Sequence, residues 1–137
     1  MQDLPIEPKD LIEQLTSMAG YWYLATPYSK YPGGIEAAFI EACNCSAWLI
    51  RQGVRVFCPI SHTHPIAIHG SIDPHDHAIW LPADKPFMDG ARGIVTAMMP
   101  TWQDSYGIKQ EIAEFKRTGR IRYYMNWPRP SATKGAT

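Results

Sequence analysis

The chain has no excess of charge of either sign: 13 Lys and Arg stand against 13 Asp and Glu, for a formal net charge of +0. That balance removes the long-range attraction on which a nucleic acid polymer or an anionic membrane surface relies, so any bound anion must be caught locally. Long apolar runs are missing too. None approaches the roughly 20 residues that span a bilayer, and the opening MQDLPIEPKD is acidic where a secretory signal is basic. A cytoplasmic protein with no membrane partner is expected. Cysteine is scarce, at 3 residues, and Cys43 and Cys45, two apart on a predicted helix, point to different sides and cannot pair. No CxxC pattern is present, so reduced thiols are expected rather than a disulfide framework. Internal repeats and low-complexity blocks are also absent, and 137 residues fit one domain rather than two.

Apolar residues make up 45% of the chain, enough to bury a real core. Residues 1–20 read as a polar leader in which Leu11, Ile12, Leu15 and Met18, behind Pro8, carry helical spacing. A domain over 21–127 follows, and 128–137 read as a flexible tail. Tyr21 to Ala25 is a near-continuous apolar run ending at Thr26-Pro27, as a strand covered on both faces should be. Ile35, Phe39, Ala42, Cys43, Ser46 and Leu49 then recur at helical spacing up to Gly53, and Val54 to Cys58 reads as a second strand. Residues 59–92, rich in His and Pro, read as a long irregular connection. Gly93 to Met99 reads as a third buried strand, Ile108, Ile112 and Phe115 as a helix stripe closed at Gly119, and Ile121 to Tyr124 as a fourth strand. Strand, helix, strand in this order predicts a single-domain α/β fold: a Rossmann-like or flavodoxin-like parallel sheet flanked by helices.

In such a sheet the ligand crevice lies beyond the carboxyl ends of the strands, which brings together the segments after Ala25, Cys58 and Met99. They supply Thr26 and Tyr28, the His-rich stretch, and Trp102-Gln103-Asp104-Ser105-Tyr106-Gly107. Asp104 or Ser105 can cap the helix that starts there, and its free amides would suit a phosphate or carboxylate. Glu111 lies about 60° around that helix from Ile108, on the flank of the buried stripe, where it either leans back over Gly107 at the mouth of the crevice or stands at the helix margin, solvated or paired with a lysine. A second carboxylate would come from Asp84 or Asp89, although Asp84, before Lys85-Pro86, reads more readily as a cap or turn residue. Two carboxylates facing one bond suit glycosyl chemistry. His62 and His64, or His75 and His77, with Asp73, Asp76 and Asp84 nearby, raise a metal alternative, against which stands a plain solvated loop. Trp80 and Trp102 could stack on a flat ligand or simply pack.

Tyr23-Leu24-Ala25-Thr26-Pro27-Tyr28 followed by Trp102-x-Asp104-Ser105-x-Gly107-x-x-x-Glu111 resembles the nucleoside 2-deoxyribosyltransferase-like superfamily, which includes nucleotide N-glycosidases. The resemblance spans about residues 21–125. It implies that Glu111 is the nucleophile toward the anomeric carbon of a sugar and that Asp84 assists the departing base. Thr26, Tyr28, Trp102, Asp104, Ser105 and Gly107 would bind substrate, with Tyr28 and Trp102 along the base and Ser105 with the amides around Gly107 at the 5′ end. A serine at position 105 resembles members acting on 5′-monophosphates, and an acidic neighbour such as Asp104 resembles those acting on free nucleosides. An aspartate usual in that family at the start of the third strand is replaced here around Arg92-Gly93. The resemblance also implies a homodimer or higher homo-oligomer, a small-molecule nucleoside or nucleotide partner, and no cofactor, metal or organic. A non-catalytic nucleotide-binding module and a metal-dependent hydrolase built on the His-rich stretch are the competing classes.

Overall fold

Pro5 to Pro128 are the residues described by the structure, a computed structural model; the tail reading for 128–137 falls, from 129 on, outside them. Two-layer covering of a parallel sheet explains why its central strands are so apolar. Strand β2 (Trp22–Ala25) is buried at every position, and β4 (Gly93–Met98) at all but its last. These strands pair in parallel with each other, and β3 (Val56–Phe57), β5 (Ile121–Asn126) and β1 (Pro5–Ile6) complete a five-stranded, all-parallel sheet in the order β1-β5-β4-β2-β3. The α/β class, a Rossmann-like sheet with helices on both faces, is therefore as the sequence predicts. Among the described residues no helix is long and apolar enough to cross a membrane.

Helices α1 (Pro8–Ser17) and α2 (Ile35–Arg51) cover one face. Leu11, Leu15, Ala42, Cys45, Trp48 and Leu49 meet Trp22, Leu24, Val95 and Met125 there. The leader is thus no appendage. Its helix is part of the main core, and β1 adds an edge strand beside β5 that its two residues did not announce. On the opposite face, α4 (His77–Gly90) and α5 (Tyr106–Arg117) bring Met88, Ile108 and Phe115 against Tyr23, Ala25 and Ile94.

The irregular reading of 59–92 is wrong. This stretch folds into α3 (Pro59–Gly70) and α4, despite Pro65 inside the first and Pro82 and Pro86 inside the second. Proline in a helix interior removes a backbone donor and disfavours the helix locally, so its density misleads. Two things compensate: Pro59 occupies the first turn of α3, where no donor is needed, and Asp76 caps α4 by accepting from the Ala78 amide at 3.1 Å.

Topology locates the cleft. The chain leaves β2 through α2 to β3 on one side, then returns through α3 and α4 to β4 on the other side of β2. The strand ends at this reversal splay apart, which opens a crevice beyond Ala25.

Candidate functional site

Beyond the carboxyl ends of β2 and β4 lies a cavity of about 240 Å³ walled by the loop after β2, by α3, by α4 and by the start of α5. Thr26, Tyr28, Asp84, Asp104, Ser105, Gly107 and Glu111 all line it, so it gathers most of the residues expected from the sequence. Trp102 is not among them. It lies in a short 3-10 turn, Trp102–Asp104, with its ring 5.8 Å from that of Tyr124, and packs on the second core cluster. Asp89 does not reach the cleft either; it is exposed and paired with Lys85 at 2.8 Å.

Glu111 is placed by helical spacing. Ile108, Glu111 and Phe115 form the buried face of α5, so a carboxyl at this position is drawn under the helix with the apolar side chains, and it is only 7% exposed. The Tyr23 hydroxyl donates to Glu111 Oε2 at 2.8 Å from the neighbouring strand. Burial pushes Glu111 up from its ordinary 4.5 to about 8; the Tyr23 hydrogen bond opposes this, and the nearby charge of Asp84 adds to it. Burial and the same carboxyl push the Tyr23 phenol far up, so it stays a donor.

Asp84 sits neither at a cap nor in a turn but inside α4, between Pro82 and Pro86, and it is 7% exposed. Its Oδ1 has no hydrogen-bond partner, and burial raises its pKa to about 6. Buried polar atoms are nearly always partnered in folded proteins, so an orphan carboxylate oxygen lining a cleft marks a place for a ligand's donor. Together the two carboxyls hold one proton across neutral pH, because their titrations are spread apart.

The remaining walls have distinct chemistry. Ser105 caps α5 by accepting from the Ile108 amide at 3.2 Å, which settles the choice between it and Asp104; Asp104 is exposed at the rim. A Cβ built on Gly107 would meet nothing closer than Ser105 Oγ at 4.0 Å, so this glycine leaves the cleft open without being sterically required. Across the cavity the Tyr28 hydroxyl lies 2.6 Å from His64 Nδ1, and His64 Nε2 lies 2.9 Å from Glu36 Oε1. Sequence reasoning missed Tyr23 and this Glu36–His64–Tyr28 line. A tyrosine inside a buried strand must find a partner for its hydroxyl, a usable signal; a contact between residues 28 and 36 positions apart leaves none.

The histidines do not converge on a metal. Buried His64 is stacked on Phe39, His75 Nδ1 is 2.9 Å from Ser29 Oγ, and His77 lies against Tyr106. Among the described residues no group of three or more His, Cys, Asp or Glu is arranged to hold an ion. Position 93 is closed to any side chain: a Cβ on Gly93 would lie 2.6 Å from the Ile121 carbonyl oxygen and 2.8 Å from the Trp22 ring. Arg92 is at the amino end of its strand, away from the cleft, and donates to the Ala19 carbonyl.

No curated protein matches this chain. Residues 20–126, which carry the cleft, all but the first strand and every helix except α1, match a family described as a domain of unknown function, and the chain belongs to that family, DUF1937.

Proposed function

We propose that the protein cleaves the N-glycosidic bond of a nucleoside or deoxynucleoside, or of its 5′-monophosphate, and passes the glycosyl group to water or to another base. The observation that carries this reading is the buried Glu111–Asp84 pair in one small cleft, with Tyr23 bonded to the glutamate and an Asp84 oxygen unpartnered.

The chemistry follows from one shared proton. At neutral pH the shared proton rests mainly on Glu111, the weaker acid; the reacting form is the minor one in which Glu111 is ionised, favoured by the Tyr23 hydrogen bond and by positive charge developing at C1′, and the proton is on Asp84. A Glu111 oxygen bonds to C1′ as the C1′–N bond breaks; the electron pair of that bond leaves with the base nitrogen, which takes the Asp84 proton. Water or an incoming base then attacks C1′, its proton returns to Asp84, and the Glu111 carboxylate departs. Ser105 and the opening amides of α5 would hold the 5′ end, where a helix start favours an anion. Because both a serine and Asp104 stand at this end, the 5′ group is a monophosphate or a free hydroxyl.

A panel of nucleosides and 5′-monophosphates, assayed for free base by chromatography, tests the reading. Glu111→Ala is expected to reduce release at least 1,000-fold, and Asp84→Asn by roughly 100-fold, the usual reach of a general acid. Undiminished release in Glu111→Ala protein with intact circular dichroism would overturn it.

A further inference from the structure

The wall facing α5 has a feature that the glycosidic mechanism leaves unused. Tyr28, His64 and Glu36 form a line from the cleft outward, with His64 only 3% exposed and Glu36 largely in solvent. A carboxylate can only accept a hydrogen bond, so His64 Nε2 carries the proton it shares with Glu36. In the neutral ring Nδ1 is then the acceptor, and the Tyr28 hydroxyl must donate to it. Its hydrogen is committed away from the cavity. What Tyr28 presents to a ligand is a lone pair.

Thr63, the residue before His64 in α3, also lines the cavity and is in the same condition. Its hydroxyl donates to the Pro59 carbonyl at 2.8 Å, which leaves only acceptor capacity toward the cleft. Two hydroxyls of the cavity lining, one from the loop after β2 and one from α3, are thus fixed as acceptors by independent hydrogen bonds. The lysine on this side, Lys30, is exposed at the rim rather than set into the wall.

Position along the cleft says which part of the ligand meets them. With the 5′ group at Ser105 on α5 and C1′ between Glu111 and Asp84, the base extends toward the loop after β2 and toward α3, where Tyr28 and Thr63 stand. We infer that this wall selects bases carrying an exocyclic amino group over their oxo counterparts, with Tyr28 as the specificity-determining residue and Glu36, through His64, as a positioning residue. The inference rests on the glycosidic reading for the ligand's orientation. An oxo group there would bring its acceptor against two acceptors, leaving buried polar atoms unpaired, a mismatch that discriminates strongly.

The test is calorimetric affinity, measured beside base release, for matched pairs: adenine against hypoxanthine and cytosine against uracil, as deoxynucleosides and as 5′-monophosphates. The wild-type protein is expected to bind the amino member of each pair at least about tenfold more tightly. Tyr28→Phe should bring the ratio to within about twofold. Glu36→Gln, an exposed substitution that spares the fold, should also narrow it, because a glutamine amide can donate to Nε2 and so reverse the ring's hydrogen-bond direction. Equal affinities in the wild type, or a ratio unmoved by Tyr28→Phe, overturn the inference. An amino preference without release from any substrate upholds it and removes the glycosidic reading alone; release without preference does the reverse. Absence of both binding and release overturns the two together.

Discussion

A carboxyl group buried as Glu111 is destabilises the fold whenever it must ionise, and the sign of that effect with pH can be worked out. Its folded pKa of about 8 is above the ordinary 4.5, so in the window between them the native state keeps a proton that the unfolded chain has released. The stability this group contributes is complete below the lower value and is lost as pH rises through the upper one. Glu111→Gln keeps the shape and the Tyr23 contact while removing the titration. Urea unfolding is expected to show it more stable than wild type at pH 8 by roughly 2–4 kcal/mol and nearly equal to it at pH 4. A loss of stability at pH 8 would mean that the carboxylate, not the acid, is the form the fold prefers. The same residues set the activity profile. Only the singly protonated pair reacts, so kcat/KM should follow a bell with limbs near about 6 and about 8 that belong to the pair as a unit. Tyr23→Phe deletes the hydrogen bond that lowers the Glu111 pKa, so the alkaline limb should move to higher pH while kcat falls. A limb that stays in place would detach Tyr23 from the reaction.

At the scale of elements, the helix that opens the cleft serves stability and binding with the same atoms, and two substitutions separate these roles. Ser105→Ala removes the cap on the Ile108 amide and should lower the unfolding free energy by about 1 kcal/mol. In the proposed reaction it should also raise KM for a 5′-monophosphate more than for the free nucleoside. Gly107→Ala should do the opposite to the fold. Its methyl meets only Ser105 Oγ at 4.0 Å, so the helix gains roughly 0.5–1 kcal/mol in thermal or urea unfolding while the side chain intrudes where a sugar would be held. Raised stability with a raised KM is the expected pair of results; unchanged kinetics would place the ligand elsewhere. This helix was legible in the sequence because its information is local: a cap, a glycine and a stripe at Ile108, Glu111 and Phe115 lie within eleven residues. Helices α3 and α4 were not. Pro65, Pro82 and Pro86 each argue against a helix, and what overrides them is packing of Ala67 and Met88 into the body of the protein and burial of His64 and Asp84 along the cleft. The same blindness to tertiary context put Trp102 in the cleft, whereas Tyr124, 22 positions on, holds its ring outside it.

For the molecule as a whole, the cleft depends on a sheet whose far edge and one of whose faces are finished by the first described segment of the chain. The family match begins at residue 20, yet Leu11 and Leu15, at 0% and 2% exposed, belong to the same apolar cluster as Trp22, Tyr123 and Met125. The Trp22 indole donates to the Leu15 carbonyl at 3.0 Å, and Pro5 and Ile6 pair with Tyr124 and Met125. No local pattern could disclose this. A two-residue strand has too few positions to show alternation, and its partner is more than 100 residues away. The periodicity of Leu11 and Leu15 did show a helix, but not what it covers. Removing that cover leaves a void under α1 and exposes the apolar face of the sheet on the side away from the cleft. Leu11→Ala is therefore expected to lower the unfolding free energy by about 2–5 kcal/mol in urea titration, as large-to-small core changes do. The cleft residues are carried on α3, α4, α5 and the loop after β2, not on α1, so at temperatures where the variant remains folded its ligand affinity should match wild type. If Leu11→Ala cost less than about 0.5 kcal/mol, α1 would be a loosely held flap, and the domain's cohesive unit would begin at β2, where the family match does.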